Sequence, residues 1–154
     1  MKNDLVLKQI KSVDIILSKL EKLLSSLNTK TISIGMNVYN REIDNLQGSA
    51  DEFEETTTLF SSMIRTIHIM YTKINEEYPN VKLAASINFK LNDLDKVIRR
   101  MRYKTFTLRK GVQTKDTIEI QVVSKAFMTD IKDLKTTIAD IKESTDKLKY
   151  QLTI

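Results

Sequence analysis

The sequence predicts an all-α protein, an elongated four-helix bundle made of two tandem, internally duplicated helical hairpins at residues 1–78 and 79–154. Three observations carry this. Apolar residues recur three and four apart along most of the chain, the period of one helix face. Only 3 Gly and 1 Pro occur in 154 residues, which leaves few turns. The chain also repeats itself: residues 12–34 (SVDIILSKLEKLLSSLNTKTISI) align without a gap on residues 86–108 (SINFKLNDLDKVIRRMRYKTFTL), 74 positions on. Ser12/Ser86, Leu17/Leu91, Leu20/Leu94, Lys22/Lys96, Lys30/Lys104 and Thr31/Thr105 are identical, and Val13/Ile87, Ile15/Phe89, Ile32/Phe106 and Ile34/Leu108 are conservative. A shared heptad phase accounts for the leucines. It does not account for the K-T-[IF]-[ST]-[IL] segment that follows the helical pattern in both places, so duplication is the preferred reading.

The first helix is expected from about Asp4 to Leu27, on the stripe Val6, Ile10, Val13, Leu17, Leu20, Leu24 and Leu27. Residues 28–35 (NTKTISIG) break that pattern with β-branched residues and end on Gly35, which reads as an extended connection. A long second helix follows on Met36, Tyr39, Ile43, Leu46, Ala50, Phe53, Thr57, Phe60, Ile64, Ile67, Tyr71 and Ile74. At about 1.5 Å per residue it spans roughly 60 Å, packed coiled-coil fashion along a partner. Gly48 lies inside it, beside a Ser49–Glu52 capping-box pattern, so a kink or a later start near residue 48 also fits. Tyr78-Pro79-Asn80 is the strong breaker and divides the two copies, because proline pushes the preceding residue out of helical angles.

The third helix carries Ala84, Ile87, Leu91, Leu94, Ile98 and Met101 in the phase of the first. A loop is expected over about 104–115, around Gly111. Asp116-Thr-Ile-Glu119 is a capping box for the fourth helix, whose stripe is Ile120, Phe127, Ile131, Leu134, Ile138, Ile141 and Leu148. TFTLR and TIEIQVV alternate as well, and a β-hairpin over 104–123 also fits them; the capping box and the downstream heptads favour helix.

Absence of Cys excludes a disulfide scaffold, a thiolate metal site and a cysteine nucleophile. No apolar run reaches the ~18 residues of a membrane span. The N-terminus MKNDLVLKQIKSVD lacks the apolar core of a signal peptide, so a cytoplasmic protein is expected, or one exported without a cleaved signal. The net charge of +5 is uneven: residues 77–154 carry an excess of Lys and Arg, whereas residues 1–76 are close to balanced.

Little of this composition suits catalysis, and neither an enzyme nor a cofactor is expected. His68 is the single histidine and falls just off the apolar stripe, where a boundary residue is the simplest reading. Asp51, Glu52, Glu54 and Glu55 cluster, but no Glu-x-x-His accompanies them as a di-metal bundle site requires. They read as a solvated acidic face, or one that meets a basic partner. No Gly-rich phosphate loop or nucleophile elbow is present. More distinctive is the acid-free run of Lys96, Arg99, Arg100, Arg102, Lys104, Arg109, Lys110 and Lys115, with Tyr103 and Phe106 interleaved. Such a patch can follow a phosphate backbone while its aromatics stack on bases. It can equally meet an acidic protein or lipid surface, or pair with the acidic cluster at 51–55 within the chain. Ile32, Ile34, Phe106 and Leu108, apolar residues near the bundle ends, either plug the core or form a docking surface.

Helix, short connection and longer helix, with Leu46-Gln47-Gly48-Ser49-Ala50 and Phe53 on the second helix, resemble the WXG/Esx-type hairpin proteins of type VII secretion. The stretch VDIILSKLEKLLSSL…SIGMN is similar in pattern to the small helical partners of LXG-type toxins. The resemblance covers roughly the first half of the chain. Leu46 stands where the family has tryptophan, Val122-Val123-Ser124 in the second copy keeps neither Trp nor Gly, and no Tyr is followed four residues later by an acid. Family members pair as antiparallel hairpins into a four-helix bundle, so a tandem copy would look like such a pair fused. The resemblance implies a chain that binds an exported toxin's helical N-terminal domain, or another small hairpin protein, and adds Leu46 and Gly48 to the partner-binding candidates. A fused pair predicts a monomer; uncovered stripes would drive dimerisation. The rivals are a nucleic-acid-binding protein using 96–115 and a phage or viral structural protein that assembles with itself.

Overall fold

The computed structural model describes residues 2–79 and 81–153, with the backbone alone at 2, 3, 81 and 84. Four helices account for nearly all of it: α1 (Lys2–Tyr39), α2 (Leu46–Glu77), α3 (Val81–Thr114) and α4 (Thr117–Thr153), with one 3-10 turn at Ile43–Asn45. No strand occurs among the described residues, which removes the β-hairpin alternative at 104–123. Each helix runs roughly 50 Å and packs antiparallel on its chain neighbours, with α1 also beside α4, so that the helices form a square in cross-section. Both hairpin turns lie at one end, where Lys115 Nζ comes within 3.9 Å of Asp44 Oδ1. The hairpins therefore stand parallel, side by side, unlike the antiparallel pairing that the family resemblance implies.

The 74-residue repeat appears as a pseudo-two-fold axis along the bundle. Residues that lie on such an axis meet their own counterparts, and α2 and α4 do so across the square's diagonal. Phe53 stacks on Phe127, with ring centroids 4.2 Å apart and planes inclined by 22°. Further along, the Tyr71 hydroxyl is hydrogen-bonded to Thr145, its counterpart 74 residues on. The buried stripe is matched from copy to copy: Leu17/Leu91, Leu20/Leu94, Leu27/Met101, Leu46/Ile120, Ile64/Ile138 and Ile67/Ile141 are all core pairs.

Two expected boundaries move. The segment 28–35 is helical, and α1 continues to Tyr39; likewise 104–114 is helical and α3 continues to Thr114. Burial overrides the β-branched composition here, because Thr31, Ile34 and Val38 extend the same stripe and are covered by the other helices. Thr31 Oγ1 donates to the Leu27 carbonyl at 2.8 Å, and Thr105 Oγ1 to Met101 at 3.0 Å, so each buried hydroxyl is satisfied within its own helix. Gly35 is an ordinary helical residue that faces Ser124 of α4. The second helix consequently starts at Leu46 rather than Met36, with Asn45 before it making no side-chain capping bond, and Ser49 lies inside the helix instead of capping it.

Both hairpins turn by one device. Arg41 (φ 59°) and Lys115 (φ 55°) are left-handed and occupy equivalent repeat positions. Glu42 N–H donates to the Asn37 carbonyl (2.8 Å) and Arg41 N–H to Val38 (3.1 Å); Asp116 N–H donates to Gly111 (2.9 Å) and Lys115 N–H to Val112 (3.3 Å). These are the two bonds of a Schellman helix end. Asp116 then caps α4, its Oδ1 accepting from Glu119 N–H at 3.1 Å, as its capping box predicts. At the other end Tyr78 adopts φ −136° and ψ 80° ahead of Pro79, the extended geometry expected there. Asn80, the last residue of the expected turn, lies outside the described residues, as does the side chain of Ala84.

Left-handed backbone costs an L-residue roughly 1–2 kcal/mol, so Arg41→Gly and Lys115→Gly should each stabilise the fold by about 1 kcal/mol in urea denaturation. Phe127→Ala, which deletes one ring of the axial stack, should cost about 3–5 kcal/mol by the same measurement.

Candidate functional site

The helix faces at the four edges of the square are chemically unequal. Between α2 and α3, Arg109 donates to Asp51 at 2.6 Å and is paired with Glu54. This ionic closure joins the basic run to the acidic cluster of 51–55. Between α3 and α4, Asp130 is buried, its side chain 3% exposed, and takes Lys104 Nζ at 2.7 Å and Arg100 Nη2 at 3.3 Å. Asp133 adds a second carboxylate partner for Arg100, at 3.6 Å.

The α1–α4 edge is different. It holds an open groove of about 700 Å³ whose floor is apolar (Leu24, Ile131 and Ile138) and whose rim carries Glu21, Lys132 and Lys135. Glu21 is already paired with Lys142 at 3.3 Å. Lys132 and Lys135 make no ion pair among the described residues. The hollow exists because three lining positions are small: Ser25, Asn28 and Ala139. Their counterparts in the α2–α3 edge are Arg99, Arg102 and Arg65. That edge carries a more open, acidic depression nearer the hairpin turns, bounded by Asp51, Glu54 and Glu55. Towards the hairpin turns, α1 and α4 expose Ile32, Met36, Tyr39, Ile118 and Val122, so apolar surface continues beyond the groove.

The partner-binding candidates read from the sequence divide cleanly. Ile34, Leu46 and Leu108 are wholly buried and belong to the core, so they present nothing to a partner. The reason is the helical continuation of α1 and α3, which turns one residue of each apolar pair inward and its neighbour outward. Ile32 is 48% exposed and Phe106 is 67% exposed, at equivalent positions of the two copies. Gly48 is exposed in the first turn of α2, and a Cβ there would meet nothing. Leu46-Gln47-Gly48 thus forms the first turn of α2, next to the hairpin turn, rather than the middle of a longer helix. The basic run does not act as one patch: Arg99 pairs with Asp95 (2.8 Å), Arg100, Lys104 and Arg109 are paired as above, and Lys115 lies near Asp44. Lys96, Arg102 and Lys110 make no ion pair among the described residues, and all three are exposed beside Tyr103 and Phe106.

His68 is half-buried on α2, and no group of three or more His, Cys, Asp or Glu is arranged to hold a metal among the described residues. No described helix is long and apolar enough to cross a membrane. The groove itself escaped sequence reasoning. Its one signal was a difference between the copies, small residues at 25, 28 and 139 against arginines at 99, 102 and 65. No protein-family model and no curated protein matches the chain.

Two titrating groups lie along the α2–α4 and α1–α4 contacts. Burial raises the Asp14 carboxyl above its ordinary 3.8, and Lys149, 3.8 Å away, offsets part of that. Asp14 Oδ1 is buried without a hydrogen-bond partner. A raised carboxyl favours folding at low pH and loses that contribution as pH rises from 3.8 through the folded value. Asp14→Asn should therefore raise stability at neutral pH and remove this segment of the pH profile. Burial pushes the Tyr71 hydroxyl from 10.0 to about 12. The unfolded chain ionises first, so stability should fall by about 3 kcal/mol between pH 10 and 12, a loss that Tyr71→Phe abolishes in alkaline denaturation.

Proposed function

We propose that this chain is a non-enzymatic helical interaction protein that receives a helix of another protein in its α1–α4 groove. In the fuller form of this reading it is a targeting or chaperone-like partner of a secreted toxin in a type VII system, acting in the cytoplasm or exported with its cargo without a cleaved signal. The observation that carries the reading is the groove: an apolar floor left open between α1 and α4 where side chains at the equivalent positions of the α2–α3 edge are arginines. An amphipathic helix laid there supplies the side chains that Ser25, Asn28 and Ala139 do not. Ile32, Met36, Tyr39 and Ile118 lengthen the contact towards the hairpin turns. The place of Leu46-Gln47-Gly48 next to the hairpin turn supports the secretion form of the reading, and the parallel stance of the two hairpins weighs against descent from an antiparallel pair. Nucleic acid along α3 is less well supported, because most cations of 96–115 are tied to carboxylates of the same chain. Self-assembly would cover the same apolar surface with a second copy.

Filling the groove with the chain's own alternative tests this. Ser25→Arg and Ala139→Arg together reproduce the side chains found at the equivalent positions 99 and 65, so thermal unfolding should change little. Tagged wild type should recover a helical partner from lysate of the encoding organism, insensitive to nuclease and to added salt, and the double variant should lose at least about tenfold of it, equivalent to ~1.4 kcal/mol. Equal recovery by both proteins would remove the groove from the reading. Recovery abolished by nuclease would transfer it to nucleic acid, and a concentration-dependent dimer lost in the variant would transfer it to self-assembly.

A further inference from the structure

The outermost line of α3 repeats every seven residues as Phe89, Lys96, Tyr103 and Lys110, an aromatic residue and a lysine in alternation. Residues seven apart on a bundle helix share one face, so this is a straight ridge roughly 30 Å long. Arg102 and Phe106 flank it. The aromatics are well exposed: Phe89 68%, Tyr103 75% and Phe106 67%. Most neighbouring carboxylates are paired: Asp130 and Asp133 with Arg100 or Lys104, Asp51 and Glu54 with Arg109, Asp95 with Arg99; Asp93 lines a depression with Lys96 and Arg100 at the start of the basic stretch. From Lys96 to Lys110 the outward field is therefore positive, carried by Lys96, Arg102 and Lys110. The corresponding line of α1 is Ile15, Lys22, Thr29 and Met36, which lacks both the aromatics and the alternation.

The geometry points to α3 as a peripheral binding face for an anionic phospholipid surface, on the side of the bundle away from the α1–α4 groove. Two features select a bilayer over single-stranded nucleic acid. The ridge is convex and has no walls, whereas base stacking in a binding channel needs a groove that follows the strand. Only Tyr103 and Phe106 lie within one turn of each other, so a strand would find a single stacking step. A flat interface engages the whole line at once: aromatic rings settle at headgroup level while lysines and arginine meet the anionic headgroups. The ridge is independent of the groove and of what occupies it.

The chain has no tryptophan, so Phe106→Trp places a single reporter on the ridge. Cosedimentation and fluorescence would be measured with vesicles of phosphatidylglycerol and phosphatidylcholine in equal parts, and with phosphatidylcholine alone. Binding to the anionic vesicles with a blue-shifted tryptophan emission, weakened about tenfold or more by high salt, is expected. Lys96→Glu, Arg102→Glu and Lys110→Glu combined should abolish it, and Tyr103→Ser with Phe106→Ser should abolish it without changing the charge. All five positions are exposed, so circular dichroism melting should be unchanged in both variants. Equal binding to neutral vesicles, an unshifted reporter, or variants that bind like wild type would overturn the assignment. Displacement from anionic vesicles by a single-stranded oligonucleotide at lower concentration than the lipid would overturn it in favour of nucleic acid.

Discussion

Everything in this bundle is referred to the line along which α2 and α4 meet. Phe53 on Phe127 and Tyr71 on Thr145 fix the distance between the two hairpins and their register, because each pair joins equivalent positions of the repeat. A one-residue slip of one hairpin would rotate every side chain of its stripe by about a hundred degrees and bury the charged face. An aromatic stack resists that slip more strongly than aliphatic contacts do, since its rings fit only in a narrow range of offset. The hydroxyl pair resists it differently: buried oxygens must keep their partner, or a donor is lost inside the core. The remaining core is mostly Leu, Ile and Val, with Phe60, Met101 and Ala50 among them, and no other ring stacks on a counterpart within the described residues. The axial contacts select one register.

Given that seam, the outer helices α1 and α3 need only cover the flanks, and their ends show how far covering overrides local preference. In Thr31-Ile32-Ser33-Ile34, β-branched residues and the following Gly35 look like an exit from helix. The phase of Leu27, Thr31, Ile34 and Val38 was the better guide, and it was legible, but a threonine in the stripe looked like a break. It is not one, because its hydroxyl is satisfied by the carbonyl one turn back and its methyl packs as valine would. The true helix ends, at Arg41 and Lys115, carried no such mark. A Schellman end usually has glycine in the left-handed position, and neither Arg nor Lys announces it. The repeat relates them, since both turns sit at one place in the 74-residue unit, yet the expected connections at 28–35 and about 104–115 did not share one. The capping box at Asp116 and the proline at 79 were readable outright, since each acts through a local rule that packing does not overrule.

The repeat also shows where the two copies differ. Symmetry requires matching cores, and the cores match. It does not constrain the edges, and there the two copies diverge. On one edge the residues at equivalent positions are Arg99, Arg102 and Arg65, beside the Arg109 pair with Asp51 and Glu54; on the other they are Ser25, Asn28 and Ala139, with nothing above them. The sequence displayed both sets, but their meaning appears only when the helices are seen to flank a common groove. The same holds for the basic run. Read linearly, eight cations without an acid form a patch. Folded, acids arrive from α2, from α4, from the first hairpin turn and from one helical turn back on α3, and five of the eight cations face them.

Exposed leucine or phenylalanine on one helix is ordinary in a folded protein and asks for no explanation. Here the exposed apolar residues are not scattered evenly. Ile32, Met36, Tyr39, Ile118 and Val122 gather at the α1–α4 side near the hairpin turns, and Phe89, Tyr103 and Phe106 gather on α3. Ile15/Phe89 and Ile32/Phe106 are equivalent pairs, so both copies carry an apolar residue at each exposed position, and the larger one stands in the second. The residues around the two clusters differ in opposite senses, small and neutral beside α1 and aromatic and basic along α3. A single bundle thereby presents an open apolar groove and a charged aromatic ridge on different sides.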